Sequence, residues 1–132
     1  MREKELIKLE HLSILEINGK GSFELLQGQI TSDMEKVSED NCVMGSICDI
    51  KGRVVSSFLV VKNDKVNNSF ILIGETKALE ATLTILNKYK PFYECSLRKI
   101  EDIKFYAIEE SYLIKDFPDT KLEVSLQSYA SF

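Results

Sequence analysis

Apolar residues recur along 23–34, FELLQGQITSDM, at Phe23, Leu26 and Ile30. Positions i, i+3 and i+7 share one face of a helix. A short amphipathic helix is therefore predicted from Phe23, with Ser22 as its cap after the turn Asn18-Gly19-Lys20-Gly21. Ahead of it, residues 12–17 alternate as a strand, with Leu12, Ile14 and Glu16 on one face and Ser13, Leu15 and Ile17 on the other. Two β-prone runs, 42–50 and 53–62, are separated only by Lys51-Gly52 and read as a hairpin with a two-residue connection. Polar residues around Asn63 and Asn67-Asn68 break the chain before a strand at 70–73. Leu79, Leu83, Leu86 and Tyr89 then mark one face of a helix over 76–89, with Thr76 as its candidate cap. Strands at 94–99 and 104–108 complete the pattern. Helices among mainly hairpin-connected strands give an α+β class, a mainly antiparallel sheet with two packed helices.

A chain of 132 residues with 44% hydrophobic content can bury one domain's core. Its 17 basic and 21 acidic side chains leave a net charge of -4, a poor footing for nucleic acid or an anionic membrane. No apolar run is long enough to cross a bilayer, and the opening MREKELIKLE has neither the apolar core of a signal peptide nor the acid-free character of an organellar presequence. The chain reads as cytoplasmic. Cys42, Cys48 and Cys95 are too scattered for a disulfide framework. Cys42 and Cys48 share a strand face by parity, but their spacing matches no zinc or cluster pattern, so all three read as buried small apolar residues and no metal is expected.

Two polar stretches are not required by the core. In Gln27-Gly28-Gln29, the amides offer donors and acceptors and Gly28 allows another backbone to approach; Thr31, Ser32 and Asp33 suit a cap for a following turn at Met34-Glu35-Lys36. The run reads as mainly architectural, with a direct ligand role for Gln27 or Gln29 left open. In the second stretch, Asp49, Lys51, Gly52 and Arg53 crowd charge into a turn, which a solvated hairpin tip also explains.

Taken together, Leu26-Gln27-Gly28-Gln29-Ile30-Thr31-Ser32-Asp33, Cys48-Asp49 with Lys51-Gly52-Arg53, the Gly19 turn and Lys88-Tyr89 resemble the YgfZ-type folate-binding proteins, relatives of the glycine-cleavage T-protein, an aminomethyltransferase. Order and spacing agree over residues 6–110, so the resemblance implies the amino-terminal domain of that fold over 1–110, with 111–132 a tail leading toward absent domains. It implies a cavity between domains that takes tetrahydrofolate, an accessory role in iron-sulfur cluster assembly or repair, and a protein partner or homo-oligomer. The branch's later Lys-Gly-Cys-Tyr-x-Gly-Gln motif does not occur in this chain.

By the same resemblance Leu12, Met44 and Ser57 are the candidate folate-lining residues, although Leu12 and Met44 are equally suited to a core. Ser56 and Ser57 stand where an aminomethyltransferase is expected to carry its carboxylate, and a serine cannot act as a carboxylate base. No catalytic residue is therefore assigned. An accessory binding module is favoured over a folate-dependent transferase component or a truncated product with no ligand of its own.

Overall fold

The computed structural model describes residues 7–63, 66–100 and 105–107. The order of elements is β1 (Ile7–Leu9), β2 (Leu12–Asn18), α1 (Ser22–Gln29), a 3-10 turn (Met34–Lys36), β3 (Val43–Cys48), β4 (Val54–Lys62), β5 (Ser69–Glu75), α2 (Thr76–Tyr89), a second 3-10 turn (Lys90–Phe92), β6 (Ser96–Ile100) and β7 (Phe105–Ala107). Five strands form one antiparallel sheet in the order β3-β4-β5-β2-β6, and β1 pairs with β7 as a separate ribbon. The predicted α+β class with two helices is present. The tail over 111–132 lies outside the described residues.

Alternation along the strands sorts side chains between two apolar clusters. Leu15, Ile17, Phe58, Val60, Phe70 and Leu72 join Leu25, Leu26, Leu79 and Leu86 from the helices in the main core. The alternate residues Ile14, Leu59, Val61, Ile71 and Ile73 form a second cluster, with Cys42, Ile100 and Phe105 packed against it. Both faces of β5 are buried from Ser69 to Gly74, and the chain reads SFILIG there because neither face meets water.

Several local expectations are corrected. Ser22 is the first residue of α1 rather than its cap: its hydroxyl donates to the carbonyls of Gly19, 2.8 Å away, and Asn68, 3.0 Å away. Thr76 likewise opens α2 without capping it, its hydroxyl bonding Ser13 Oγ at 2.6 Å and the His11 carbonyl at 3.2 Å. Burial places Thr82 beside Leu79 and Leu86 on the buried face of α2 and leaves Tyr89 39% exposed, because the core ends before the last helical turn. The hairpin connection is Asp49–Arg53 rather than two residues, since the ladder ends at the pair Cys48–Val54, just past a bulge at Ile47/Cys48. The extra residue of that bulge, Val55, is on β4, so β3 keeps its alternation through Cys48. The three cysteines are half-buried rather than buried.

Candidate functional site

The sheet register builds the site. Leu12 pairs with Glu75, and Ser46 pairs with Ser57. On β4 and β5, Leu59 pairs with Ile73, so two residues further along each strand Ser57 and Glu75 come to the same level. Leu12, Glu75, Ser57 and Ser46 thus form one row across β2, β5, β4 and β3. The next row is Ile14, Ile73, Leu59 and Met44.

A pocket of about 380 Å³ opens over these two rows. Leu12, Met44, Leu59 and Ile73 give it apolar walls, and Ser57, Glu75 and His11 supply side chains with polar groups. Its volume and lining suit a small heterocycle, since ligand sites are mostly apolar with a few placed polar groups. Leu12, Met44 and Ser57, the lining candidates that the resemblance implies, all border this one pocket. Met44 is 48% exposed, so it is a wall residue and not core.

Ser56 and Ser57 point to opposite faces of β4. Ser56 is 5% exposed, on the helix side of the sheet, and its hydroxyl shares a hydrogen bond with that of Thr82. Ser57 is exposed on the pocket side and meets Ser46 Oγ at 2.9 Å. Only Ser57 can therefore touch a ligand held there.

The polar run after α1 holds the pocket wall in place. The Met34 amide donates to Gln27 Oε1 at 2.7 Å, and the Glu35 amide to Asp33 Oδ1 at 3.0 Å, which caps the 3-10 turn as expected. Thr31 joins the edge strand twice: its amide donates to the Ser46 carbonyl at 2.9 Å and its hydroxyl accepts from the Ser46 amide at 3.1 Å. Ser32 donates its hydroxyl to the Met44 carbonyl. The run thus fixes the backbone beneath Met44 and Ser46 while its own side chains stay outside the pocket.

Gly28 departs from expectation. No backbone crowds it: a Cβ built there would meet only Tyr93 Oη, at 3.6 Å, an ordinary contact. Gly28→Ala is expected to raise stability by up to ~1 kcal/mol through helix propensity. Asp33→Ala is expected to cost about 0.5–1 kcal/mol as a lost cap. Urea unfolding of both variants beside the parent checks the opposite signs, and a destabilised Gly28→Ala would mean that a close approach does exist there.

Asp49, Lys51, Gly52 and Arg53 form a self-bonded tip. Asp49 Oδ1 accepts from the amides of Lys51 at 2.9 Å and Arg53 at 3.0 Å, and Oδ2 accepts from Arg53 Nε at 3.0 Å. The amide of Arg53, then its own desolvation in the opposite sense, then the guanidinium and the Lys51 amide set the Asp49 carboxyl, with a net fall below its usual range. A depressed pKa means the tip's order is complete above the ordinary aspartate range and is lost as pH falls through it toward the folded value. Amide exchange at Lys51 and Arg53, corrected for intrinsic rates, should accelerate on acidification below about pH 4, and Asp49→Ala should show the fast rates at neutral pH. Ile50 on this tip is fully exposed, and none of these residues lines the pocket.

Burial raises the Cys42 and Cys95 thiols above their ordinary pKa, which disfavours the thiolate a metal would need. Among the described residues no group of three or more His, Cys, Asp or Glu could hold a metal ion, and no helix is long and apolar enough to cross a membrane.

Glu75 is the pocket residue that sequence reasoning missed. The signal lay in its place at the junction of β5 and α2, but only the order of the strands sets it beside Ser57.

No family model matches the chain. It is 29% identical over 106 residues to the tRNA-modifying protein YgfZ of Colwellia psychrerythraea, covering 80% of this chain and 32% of that protein. It is 25% identical over 127 residues to YgfZ of Aliivibrio fischeri, covering 95% of this chain and 39% of that one. Against YgfZ of an Escherichia coli strain the identity is 29% over 92 residues, 70% of this chain and 27% of the relative. The chain thus spans about a third of the length of these curated relatives. Among solved structures it matches the glycine cleavage system aminomethyltransferase T of Bartonella henselae with a TM-score of 0.65 and 14% identity, over 73% of this chain and 26% of that one. By sequence the chain is thus similar to the YgfZ proteins over about a third of their length, and its fold matches that of the glycine-cleavage aminomethyltransferase.

Proposed function

We propose that the chain is a tetrahydrofolate-binding accessory module, acting by holding a ligand rather than by chemistry of its own. The observation that carries this reading is the convergence of Leu12, Met44 and Ser57 on one pocket with apolar walls. The relatives' name, tRNA-modifying protein, points to the process such a module serves, with iron-sulfur maintenance the companion role that the sequence resemblance suggests. With a net charge of -4, the chain is better suited to a supporting part in that process than to gripping RNA itself. An aminomethyltransferase reading gains nothing from Ser57, whose hydroxyl cannot replace a carboxylate base.

Tetrahydrofolate is expected to bind the chain weakly, because a pocket open on one sheet face encloses only part of a ligand that strong sites surround almost completely. The expected dissociation constant lies above about 10 μM, equivalent to less than ~7 kcal/mol of binding free energy. Titration followed by backbone amide shifts should move the amides of Leu12, Met44 and Ser57 together. Saturable shifts confined to other parts of the sheet would overturn the pocket as the folate site, and a sub-micromolar constant would overturn the open-wall argument.

A further inference from the structure

We infer that Glu75 supplies the pocket's ligand-selecting carboxylate, and that it selects a reduced, N–H-bearing heterocycle over its oxidised counterpart. The inference rests on the folate-pocket reading and goes beyond it by naming the residue and the ligand's hydrogen-bonding character.

The row across the sheet brings the carboxylate to the place where it is needed. Glu75 pairs with Leu12 on one side and reaches the level of Ser57 on the other. The β4–β5 ladder itself ends at Leu59–Ile73, and Glu75 and Ser57 both line the pocket just beyond it. The two strands stay close at this level: the Ser57 carbonyl lies 3.2 Å from where a Cβ on Gly74 would sit. A carboxylate on β5 can therefore serve the same part of the pocket as one on β4 at Ser57. Among the described residues no other acidic side chain lines the pocket.

Glu75 is also not engaged in holding the fold. It sits at the N-cap of α2, yet its side chain makes no capping hydrogen bond. Among the described residues its carboxylate has no hydrogen-bond or ion-pair partner. Ser57 differs, because its hydroxyl is shared with Ser46.

An ionised carboxylate only accepts hydrogen bonds. The ring nitrogens that change on reduction of a folate are acceptors in the oxidised ring and N–H donors in tetrahydrofolate. Facing Glu75, the reduced ring gains a charge-assisted hydrogen bond, whereas the oxidised ring sets a lone pair against a negative charge. The amide of Glu75→Gln can donate or accept and loses that distinction.

The test uses the whole chain with tetrahydrofolate, kept reduced under argon, and folic acid as paired probes. Each is titrated against the parent and Glu75→Gln, with amide shifts reporting both site and affinity. The parent should favour tetrahydrofolate by roughly tenfold, the scale of one charge-assisted hydrogen bond. Glu75→Gln should bring the ratio close to one while the shifts stay on Leu12, Met44 and Ser57. An unchanged ratio in Glu75→Gln, with those amides still moving, would overturn the role of Glu75 and leave the pocket reading intact. If neither probe moves those amides in the parent, the pocket reading fails and the role of Glu75 fails with it. Glu75→Asp, which keeps the charge on a shorter stem, should retain part of the preference, whereas loss of preference equal to that of Glu75→Gln would count against a charge-based selection.

Discussion

Replacing Gly19 with alanine should destabilise the domain by about 2–4 kcal/mol, more than the same change at Gly28 or Gly52. Gly19 has φ of +126°, and a Cβ there would lie 2.5 Å from the Glu94 carbonyl oxygen and 2.7 Å from Cys95 Cα. Both obstacles are backbone, so no side-chain rotation relieves them. The same glycine knots several elements together at the end of β2. Its amide donates to the Asn68 carbonyl at 2.9 Å, its carbonyl accepts from the Ser22 amide at 3.0 Å, and the Gly21 amide beside it reaches the Glu94 carbonyl at 2.9 Å. Gly52 is the natural control, with φ of +82° and nothing within 4 Å of where a methyl carbon would sit. Gly52→Ala should show only the backbone cost, about 1 kcal/mol. Urea unfolding with unchanged slopes measures both, and equal losses at the two positions would mean that the contacts with Glu94 and Cys95 contribute nothing.

That turn was legible in the sequence as a turn, but its neighbours were not. Local pattern sufficed wherever period and breakers agreed: α2 runs over Thr76–Tyr89 because leucines at helical spacing follow a buried strand. The strand at Leu12–Asn18 and the 3-10 turn capped by Asp33 were equally local. Pairing across long sequence separations was not legible. Phe105–Ala107 lies within the strand expected at 104–108, but its partner Ile7–Leu9 was not expected, because three residues carry too little alternation to announce a strand. Strand order was similarly hidden, and with it the row that sets Glu75 beside Ser57. Gly28 misled because a glycine in a helix suggests a close neighbour, whereas its surroundings here are open. Ser22 and Thr76 misled because each has a capping residue type at a helix start, yet their hydroxyls are taken by other strands and loops.

Ser56 and Ser57 look interchangeable in the sequence, and a carboxylate introduced at each should separate them sharply. At Ser56 the new charge would replace a hydroxyl that is 5% exposed and would face Thr82, itself fully buried and already donating to the Ala78 carbonyl at 2.9 Å. Neither side chain has a cationic partner among the described residues. An unpaired buried carboxylate is costly, so Ser56→Asp should lose on the order of 3–5 kcal/mol at neutral pH. Burial raises the folded pKa of such a group above its unfolded value, so the folded state binds the extra proton. Part of the lost stability should therefore return as pH falls through the raised pKa toward about 4, the unfolded aspartate value. Ser57→Asp stands in water on the pocket side and should cost less than about 1 kcal/mol, the penalty of a like charge opposite Glu75. Denaturant unfolding of the two variants at pH 7 and pH 5 checks both the gap and its direction. If Ser57→Asp proves the costlier change, the division of the two serines between core and pocket is wrong.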